Sequence, residues 1–185
     1  TLTPPEDGST ADNLQEQNFG SSHKISEPGA SSVRDTSTKY LFVGAPGYSD
    51  GTGRVYMYEW GLGVDGSTYD TWTQNLTITS ADPGAGKRFG HRIEANDNGD
   101  ILAVSSTSPG QAGKVEIYIR NSQANDGSTD HSFTLAQTLT GTSADGSSLN
   151  TAFGDSMSMV SDGTTLIIGA PGVDGTEQID AGAVY

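Results

Sequence analysis

The side chains best suited to chemistry in this chain are carboxylates in turn-rich segments. Asp97 and Asp100 belong to the run Asn-Asp-Asn-Gly-Asp at residues 96–100. Calcium binds such oxygens, but it takes six to eight of them, and this run is too short to supply that number alone. Asn-Gly pairs also tolerate the positive φ of a two-residue hairpin turn. The run therefore predicts either a hairpin turn, which we favour, or part of a calcium site.

A second acidic group lies in a longer loop and consists of Asp174, Glu177 and Asp180. It is the other candidate calcium site, through Asp174 and Asp180. Tyr48 and Asp50 occupy the corresponding position earlier in the chain. Loops that differ between related units commonly carry recognition. We therefore expect all five residues to lie in binding loops.

The three histidines, His23, His91 and His131, suggest a comparison with Ser/His/Asp catalysis, in which Ser22 or Asp155 could take part. No nucleophile-elbow motif and no metal-ligand spacing accompanies them. We therefore predict structural or exposed histidines and no enzymatic activity.

Two further features resemble binding motifs but favour a structural interpretation. Residues 83–88, Pro-Gly-Ala-Gly-Lys-Arg, lack the full phosphate-loop pattern and precede a predicted strand, so they predict a connecting loop. The aromatic residues Trp60, Trp72, Tyr48 and Tyr69 could stack on a ligand. We favour packing between or within sheets for them.

The composition limits the classes of protein to which this chain can belong. Hydrophobic residues make up 32% of its 185 residues, and 25 are glycine, which is typical of short strands joined by many turns. The formal net charge of −14 argues against nucleic acid, whose phosphates bind clustered Lys and Arg. Cysteine is absent, so disulfides and thiolate metal sites are excluded. No apolar stretch reaches about 18 residues, so we expect no membrane insertion by this segment.

The elements that must position these residues form an internal repeat. Phe19, Phe89 and Phe153 are each followed by Gly and are 70 and 64 residues apart. Self-similarity at this period, without a helical pattern, indicates repeated units of short strands. The predicted first strands are 21–25, 91–95 and 155–160; second strands begin at Leu41, Ile101 and Leu166; third strands begin at Gly53, Gly113 and Gly182; fourth strands are 71–78 and 132–140.

The second strands are continuously apolar rather than alternating, which indicates burial on both faces. Four-stranded antiparallel sheets packed between two neighbours meet this requirement in a β-propeller, whereas a sandwich leaves one polar face on each sheet. The sequence therefore predicts an all-β fold of propeller blades. A ring of six or seven such blades needs roughly 400 residues. We expect a segment of a longer polypeptide, or a ring completed by another chain.

The repeat boundaries predict how the chain is divided. Residues 1–17 are expected to hold the end of a preceding blade and an inter-blade loop. Residues 18–82 form one blade, 83–145 a second, and 146–185 an incomplete third. The first blade carries an insertion at 26–38, because nine extra residues separate its Phe-Gly pair from its second strand.

These motifs resemble the FG-GAP repeat family, known from the propeller head of integrin α subunits. Phe19-Gly20 with Gly44-Ala45-Pro46, and Phe153-Gly154 with Gly169-Ala170-Pro171, match its name-giving motif. Phe89-Gly90 matches only the first half, because Ser-Ser-Thr stands where Gly-Ala-Pro would be. The likeness is to the short, calcium-poor subtype of large secreted and surface proteins of microbes.

The resemblance implies a non-catalytic adhesion or recognition module at an extracellular, cell-surface or virion-surface location. Its loops would bind a protein or glycan ligand, with calcium as the one cofactor considered. One alternative is a structural subunit of a virion, filament or other surface assembly, in which copies of the chain contact each other. Another is an accessory domain of a larger secreted enzyme.

Overall fold

The computed structural model describes residues 1–5, 17–27, 39–62, 70–108, 112–121, 132–142, 151–174 and 180–185. Within these ranges the fold is all-β, and the strands form three antiparallel sheets in chain order. The first sheet contains β1 (Ser22–Ser26), β2 (Lys39–Ala45), β3 (Arg54–Leu62) and β4 (Asp70–Ile78); the second contains β5 (Phe89–Ala95), β6 (Ile101–Ser106), β7 (Lys114–Arg120) and β8 (Phe133–Thr140); the third contains β9 (Ser156–Met159), β10 (Leu166–Ala170) and β11 (Ala183–Val184).

The predicted four-stranded antiparallel sheets are confirmed in the first two sheets, where each strand pairs with the next along the chain. The predicted strand positions agree closely with the structure, except that Phe89 and Gly90 already belong to β5. One element was not predicted. It is the four-residue helical turn α1 (Tyr48–Gly51), in which Ser49 and Asp50 have positive φ.

The second sheet is buried on both faces, as its continuous apolar strand predicted. Leu102 and Val104 of β6 pack toward the first sheet, and Ala103 between them packs toward the third. Side chains alternate across a strand, so one apolar run supplies two cores. Burial of this kind stabilises by roughly 25 cal/mol per Å² of apolar surface. The first core contains Tyr40, Phe42, Val55, Met57, Ile78, Phe89, Ile93, Ala95, Leu102, Val104 and Tyr118; the second contains Ala103, Val115, Phe153, Ile168, Ala170 and Val173.

The first strands of neighbouring sheets are joined by polar contacts as well. The Ser22 hydroxyl donates to the Gly90 carbonyl at 2.7 Å, and the Ser26 hydroxyl donates to the Asn96 carbonyl at 2.8 Å. Lys24 Nζ lies 2.7 Å from Glu94 Oε2. These bonds fix the register of the first sheet against the second.

Each Phe-Gly pair of the second and third repeats packs on the glycine that opens the third strand of the preceding sheet. Gly53 pairs with Phe89 in an isolated parallel bridge. A Cβ at Gly53 would lie 2.8 Å from the Phe89 carbonyl carbon, and one at Gly113 would lie 2.6 Å from the Phe153 nitrogen. Such distances leave no room for a side chain, so glycine is required at both contacts.

The middle repeat compensates for its missing Gly-Ala-Pro. Ser105 stands where the other repeats have glycine, and its hydroxyl accepts the backbone N–H of Arg92 at 3.0 Å. Thr107 replaces the proline and donates to the Phe153 carbonyl at 3.0 Å. The departure from the motif thus adds two hydrogen bonds through side-chain hydroxyls, which proline and glycine do not have.

Several sequence-based predictions lie outside the described residues. They include residues 28–38 of the predicted insertion, and also Glu177, His131 and Tyr69. The division of the chain into blades stays a prediction. Leu2 packs against the outward face of the first sheet, in the cluster that contains Tyr56 and Tyr58.

Candidate functional site

Loops at one end of the sheets lie side by side, and we call them the loop end. The Gly86 N–H donates to the Asp50 carbonyl at 2.9 Å, and the Arg88 N–H donates to the Gly51 carbonyl at 2.6 Å. The Ser108 hydroxyl donates to the Gly86 carbonyl. These bonds tie three loops together into one surface. The loop end consists of the described parts of residues 46–53, 79–88, 107–113 and 171–182.

A cleft of about 220 Å³ opens in the loop end, beside the start of β7. Its charged groups are Asp82, Lys87 and Lys114. Lys87 Nζ lies 2.5 Å from Asp82 Oδ2, and Lys114 Nζ lies 3.7 Å from the same oxygen. The cleft therefore presents two ammonium groups around one carboxylate. The remaining lining residues are Ser106, Ser108, Ala112, Gly113 and Thr140.

A buried polar network lies behind the cleft on the same strand. The Glu116 side chain is 1% exposed, and its Oε1 lies 3.3 Å from Lys114 Nζ. The Tyr118 hydroxyl lies 3.4 Å from Glu116 Oε2 and 3.2 Å from the Thr79 carbonyl. Burial, together with the neighbouring carboxylate, raises the pKa of Tyr118 above its usual range. The phenol stays protonated and can donate to its neighbours.

The charges of the cleft and its network balance, with two lysines against two carboxylates. The hydrogen bond and charge of Lys87 hold the pKa of Asp82 below its usual value, so its carboxylate is ionised at neutral pH. A cleft with strong donors and an acceptor, whose excess positive charge is balanced by the buried Glu116 behind it, suits a polar ligand better than a strongly charged one. Its volume is below the usual range for small-molecule pockets, which fits one side chain or one sugar unit.

Tyr48 and Asp50 lie in the loop end, and their role as binding-loop residues stays a prediction. The Arg54 guanidinium carbon lies 3.5 Å from the centroid of the Tyr48 ring, a cation–π contact, and the ring also packs on the outward face of the first sheet. Asp50 is exposed, and its backbone carbonyl rather than its carboxylate accepts the hydrogen bond from the neighbouring loop. Tyr48 therefore braces the loop, and Asp50 is the group that faces solvent.

Asp174 and Asp180 also lie in the loop end and are brought together. Asp174 Oδ1 accepts the backbone N–H of Asp180 at 2.8 Å, and Asp180 has a positive φ of 53°. The Asp174 carboxylate thus closes the ends of its loop. Both residues remain candidates for binding, and their calcium role stays a prediction.

Asp97 and Asp100 occupy the turn between β5 and β6, away from the loop end. The Asn96 Oδ1 accepts the N–H groups of Asp100 and Ile101 at 3.1 and 3.0 Å, and Asn96 Nδ2 donates to Asp100 Oδ1 at 2.5 Å. These contacts make the hairpin turn that we favoured. In the part of the chain that the structure describes, no three His, Cys, Asp or Glu side chains are grouped so that they could hold a metal ion.

His91 and Asp155 are in contact between the second and third sheets, with Nε2 3.3 Å from Oδ1. Burial lowers the pKa of His91, although a hydrogen bond from the imidazole to the Asp155 carboxylate opposes the shift. The Ser22 hydroxyl donates instead to the Gly90 carbonyl. The structure therefore brings His91 and Asp155 of the considered Ser/His/Asp arrangement into contact. Ser22 instead makes a structural hydrogen bond.

Trp60 and Trp72 face each other on β3 and β4. Their ring centroids are 5.2 Å apart, and their planes are inclined by 62°. An edge-to-face pair across two strands stabilises a hairpin. This contact supports the packing interpretation that we favoured for the tryptophans.

Sequence reasoning did not identify Lys114, Glu116 and Tyr118 as one polar group. Their spacing of two residues places all three on the same face of β7, which was the available signal. The signal was weak because the intervening residues, Val115 and Ile117, make the strand look like an ordinary buried run. Lys87 lies in the segment correctly predicted to be a connecting loop.

No protein-family model matches this chain, and no curated protein matches it. Within the described ranges, no helix combines the length and apolar character that crossing a bilayer requires.

Proposed function

We propose that this chain is a non-catalytic recognition module of a secreted or surface-exposed protein. In this proposal the stacked sheets form a rigid scaffold, and the loop end binds a protein or glycan ligand. The cleft beside Lys87 and Lys114 is the observation that carries the proposal. It combines balanced charges, hydroxyl groups and apolar walls at the point where independent loops meet.

We further propose that the sheets are FG-GAP-like propeller blades. The first strands of neighbouring sheets contact each other, whereas β4 and β8 make no comparable contact. Sheets that approach along one edge and diverge along the other support a radial arrangement rather than a flat stack. Propellers with six or seven blades have this geometry.

The recognition proposal is tested by screening the immobilised chain against a glycan array and a displayed peptide library. A ligand that occupies the cleft is expected to lose at least about tenfold in affinity with Lys87→Met. Asp82→Asn provides the reciprocal change in the same cleft. Lys39→Met is the matched control, because Lys39 lies at the end of β2 that is remote from the loop end. This variant should leave binding unchanged. Failure to bind any member of either library, or binding unaffected by both cleft variants, contradicts the proposal.

A structural role in an assembly is the second candidate, because the third sheet leaves large apolar side chains exposed. Ile167 is 50% exposed and Val184 is 75% exposed. Apolar groups grouped on one sheet face commonly mark a contact with another protein.

A further inference from the structure

The second sheet buries a hydroxyl group that neither of the other sheets has at the same position. Ser106 lines the cleft and is 4% exposed, and within the described part of the chain its Oγ has no hydrogen-bond partner. Its counterparts in the other repeats are Ala45 and Ala170, both 0% exposed. A buried hydroxyl without a partner costs stability that alanine does not cost. The Ser106 hydroxyl is therefore a group in the cleft that a ligand can satisfy.

Lys114 contributes a positive charge to the cleft but no unused donor. Its Nζ lies 3.1 Å from Ser80 Oγ, 3.3 Å from Glu116 Oε1 and 3.4 Å from the Asp82 carbonyl oxygen. An ammonium group has three N–H donors, so these three acceptors use them all. A ligand oxygen could bind this lysine only by displacing one of them. The face of an aromatic ring attracts the same cation without needing an N–H donor.

The first sheet shows a ring over the corresponding cation. Arg54 is the counterpart of Lys114, since each follows the glycine that opens the third strand of its sheet. The Tyr48 ring, from the loop before that strand, lies over Arg54, with 3.5 Å between the guanidinium carbon and the ring centroid. The corresponding loop of the second sheet, residues 107–113, contains no aromatic residue. That loop therefore cannot supply a ring to Lys114.

The cleft has the size of one aromatic side chain and walls that suit such a group. Its volume is about 220 Å³, and Ala112 and Gly113 contribute apolar surface to its lining. Among the described lining residues none is aromatic, so a sugar ring would meet no aromatic face there. These features favour an aromatic ligand with one hydroxyl over a sugar.

We propose that the cleft binds a tyrosine side chain of a protein partner, with the ring over Lys114 and the phenol hydroxyl bonded to Ser106 Oγ. This inference rests on the proposed recognition function and narrows its ligand to a protein that presents tyrosine. A neutral phenol also suits the balanced charges of the cleft. Asp82 and Lys87, whose side chains are 73% and 36% exposed, lie at the rim and offer an acceptor and a donor to the backbone beside the ring.

Titration of the 185-residue chain with N-acetyltyrosine amide, followed by nuclear magnetic resonance, tests this proposal. Backbone amide shifts are expected at Ser106, Ser108 and Lys114, with a dissociation constant in the millimolar range that a ligand of this size allows. N-acetylphenylalanine amide should bind about three- to tenfold more weakly, because it lacks the hydroxyl that pairs with Ser106. Methyl glucoside should leave these amides unshifted.

Two variants separate the hydroxyl from the cation. Ser106→Ala introduces the residue that the other two repeats have, so we expect it to fold, to lose the preference for tyrosine and to bind the phenylalanine amide unchanged. Lys114→Met combined with Glu116→Gln removes both charges and should weaken both amides about two- to fivefold. Ser158→Ala, an exposed serine on the third sheet, is the matched control and should bind both amides like the unmodified chain.

Several outcomes overturn the tyrosine proposal and leave the recognition function standing. They are cleft shifts with methyl glucoside but not with the tyrosine amide, and library ligands that occupy the cleft without a tyrosine. Equal binding of the two amides, or a preference for tyrosine that survives Ser106→Ala, overturns it as well. So does the absence of cleft shifts with the tyrosine amide at about 50 mM, where even weak ligands bind. Only failure of the glycan and peptide libraries, or insensitivity to the cleft variants, contradicts the recognition function itself.

Discussion

At the scale of single residues, the contact between sheets depends on glycine where backbones meet. Gly53 has a φ of 83°, and a Cβ there would overlap the Phe89 backbone. Gly53→Ala is therefore expected to lower the free energy of unfolding by about 3 kcal/mol, from strain and overpacking together. Gly86→Ala is the control, because it has a similar φ of 74° in open space, and it should cost about 1 kcal/mol. Urea unfolding measures both. Equal losses in the two variants would show that the close approach contributes nothing.

His91 makes stability depend on pH near neutrality. Its pKa is lowered in the folded protein, mainly by burial, so protonation favours the unfolded chain. Its contribution is present above the unfolded pKa of about 6.5 and is lost as pH falls toward the lower folded pKa. The melting temperature should therefore fall between about pH 7 and pH 5.5, and His91→Gln should flatten the curve in this window. Asp155→Asn should steepen it, because Asp155 opposes the shift. An unchanged slope in His91→Gln would rule out this histidine as the source.

At the scale of the element, β7 shows how one strand combines a core and a charged network. Lys114→Met leaves the Glu116 carboxylate buried without its cation, and we expect a loss of about 3–5 kcal/mol in the free energy of unfolding. Lys114→Met combined with Glu116→Gln removes both charges and should recover a large part of that loss. Urea denaturation at pH 7 measures the cycle. If the single lysine change costs less than about 1 kcal/mol, the pair is not coupled as the geometry indicates.

The elements themselves were largely predictable from sequence because their signals are local. The apolar run Leu102–Val104, the turn at residues 96–100 and the Gly-x-Val strand openings each specify their structure within a few residues. The turn α1 was not predictable, since Ser49 and Asp50 have positive φ without being glycine, and the Asp50 and Gly51 carbonyls accept hydrogen bonds from distant residues 86–88. The cleft was missed for the same reason. It needs Lys87 and Lys114 beside Asp82, and the two lysines approach this carboxylate only when the loop at 79–88 packs beside the start of β7.

At the scale of the whole molecule, the three sheets differ in how many faces they bury. The second sheet contributes Leu102 to one core and Ala103 to the other, whereas the described buried residues of the third sheet, such as Ile168, belong to one core. Regions with fewer buried apolar contacts open more readily. The order of stability along the chain should therefore follow position in the stack rather than local sequence.

Amide hydrogen exchange of the dilute chain gives the final prediction. Slowest exchange is expected in β6 and fastest in β10, because opening the second sheet exposes two cores and opening the third exposes one. Phe153→Ala removes a ring that is 2% exposed from the second core and should raise exchange in β10 far more than in β2. Phe19→Ala is the matched change on the first sheet, where the ring packs on Tyr56 and Tyr58, and it should leave β10 unaffected. Uniform acceleration of all three sheets by either change would mean that the stack unfolds as one cooperative unit, and the proposed hierarchy would be wrong.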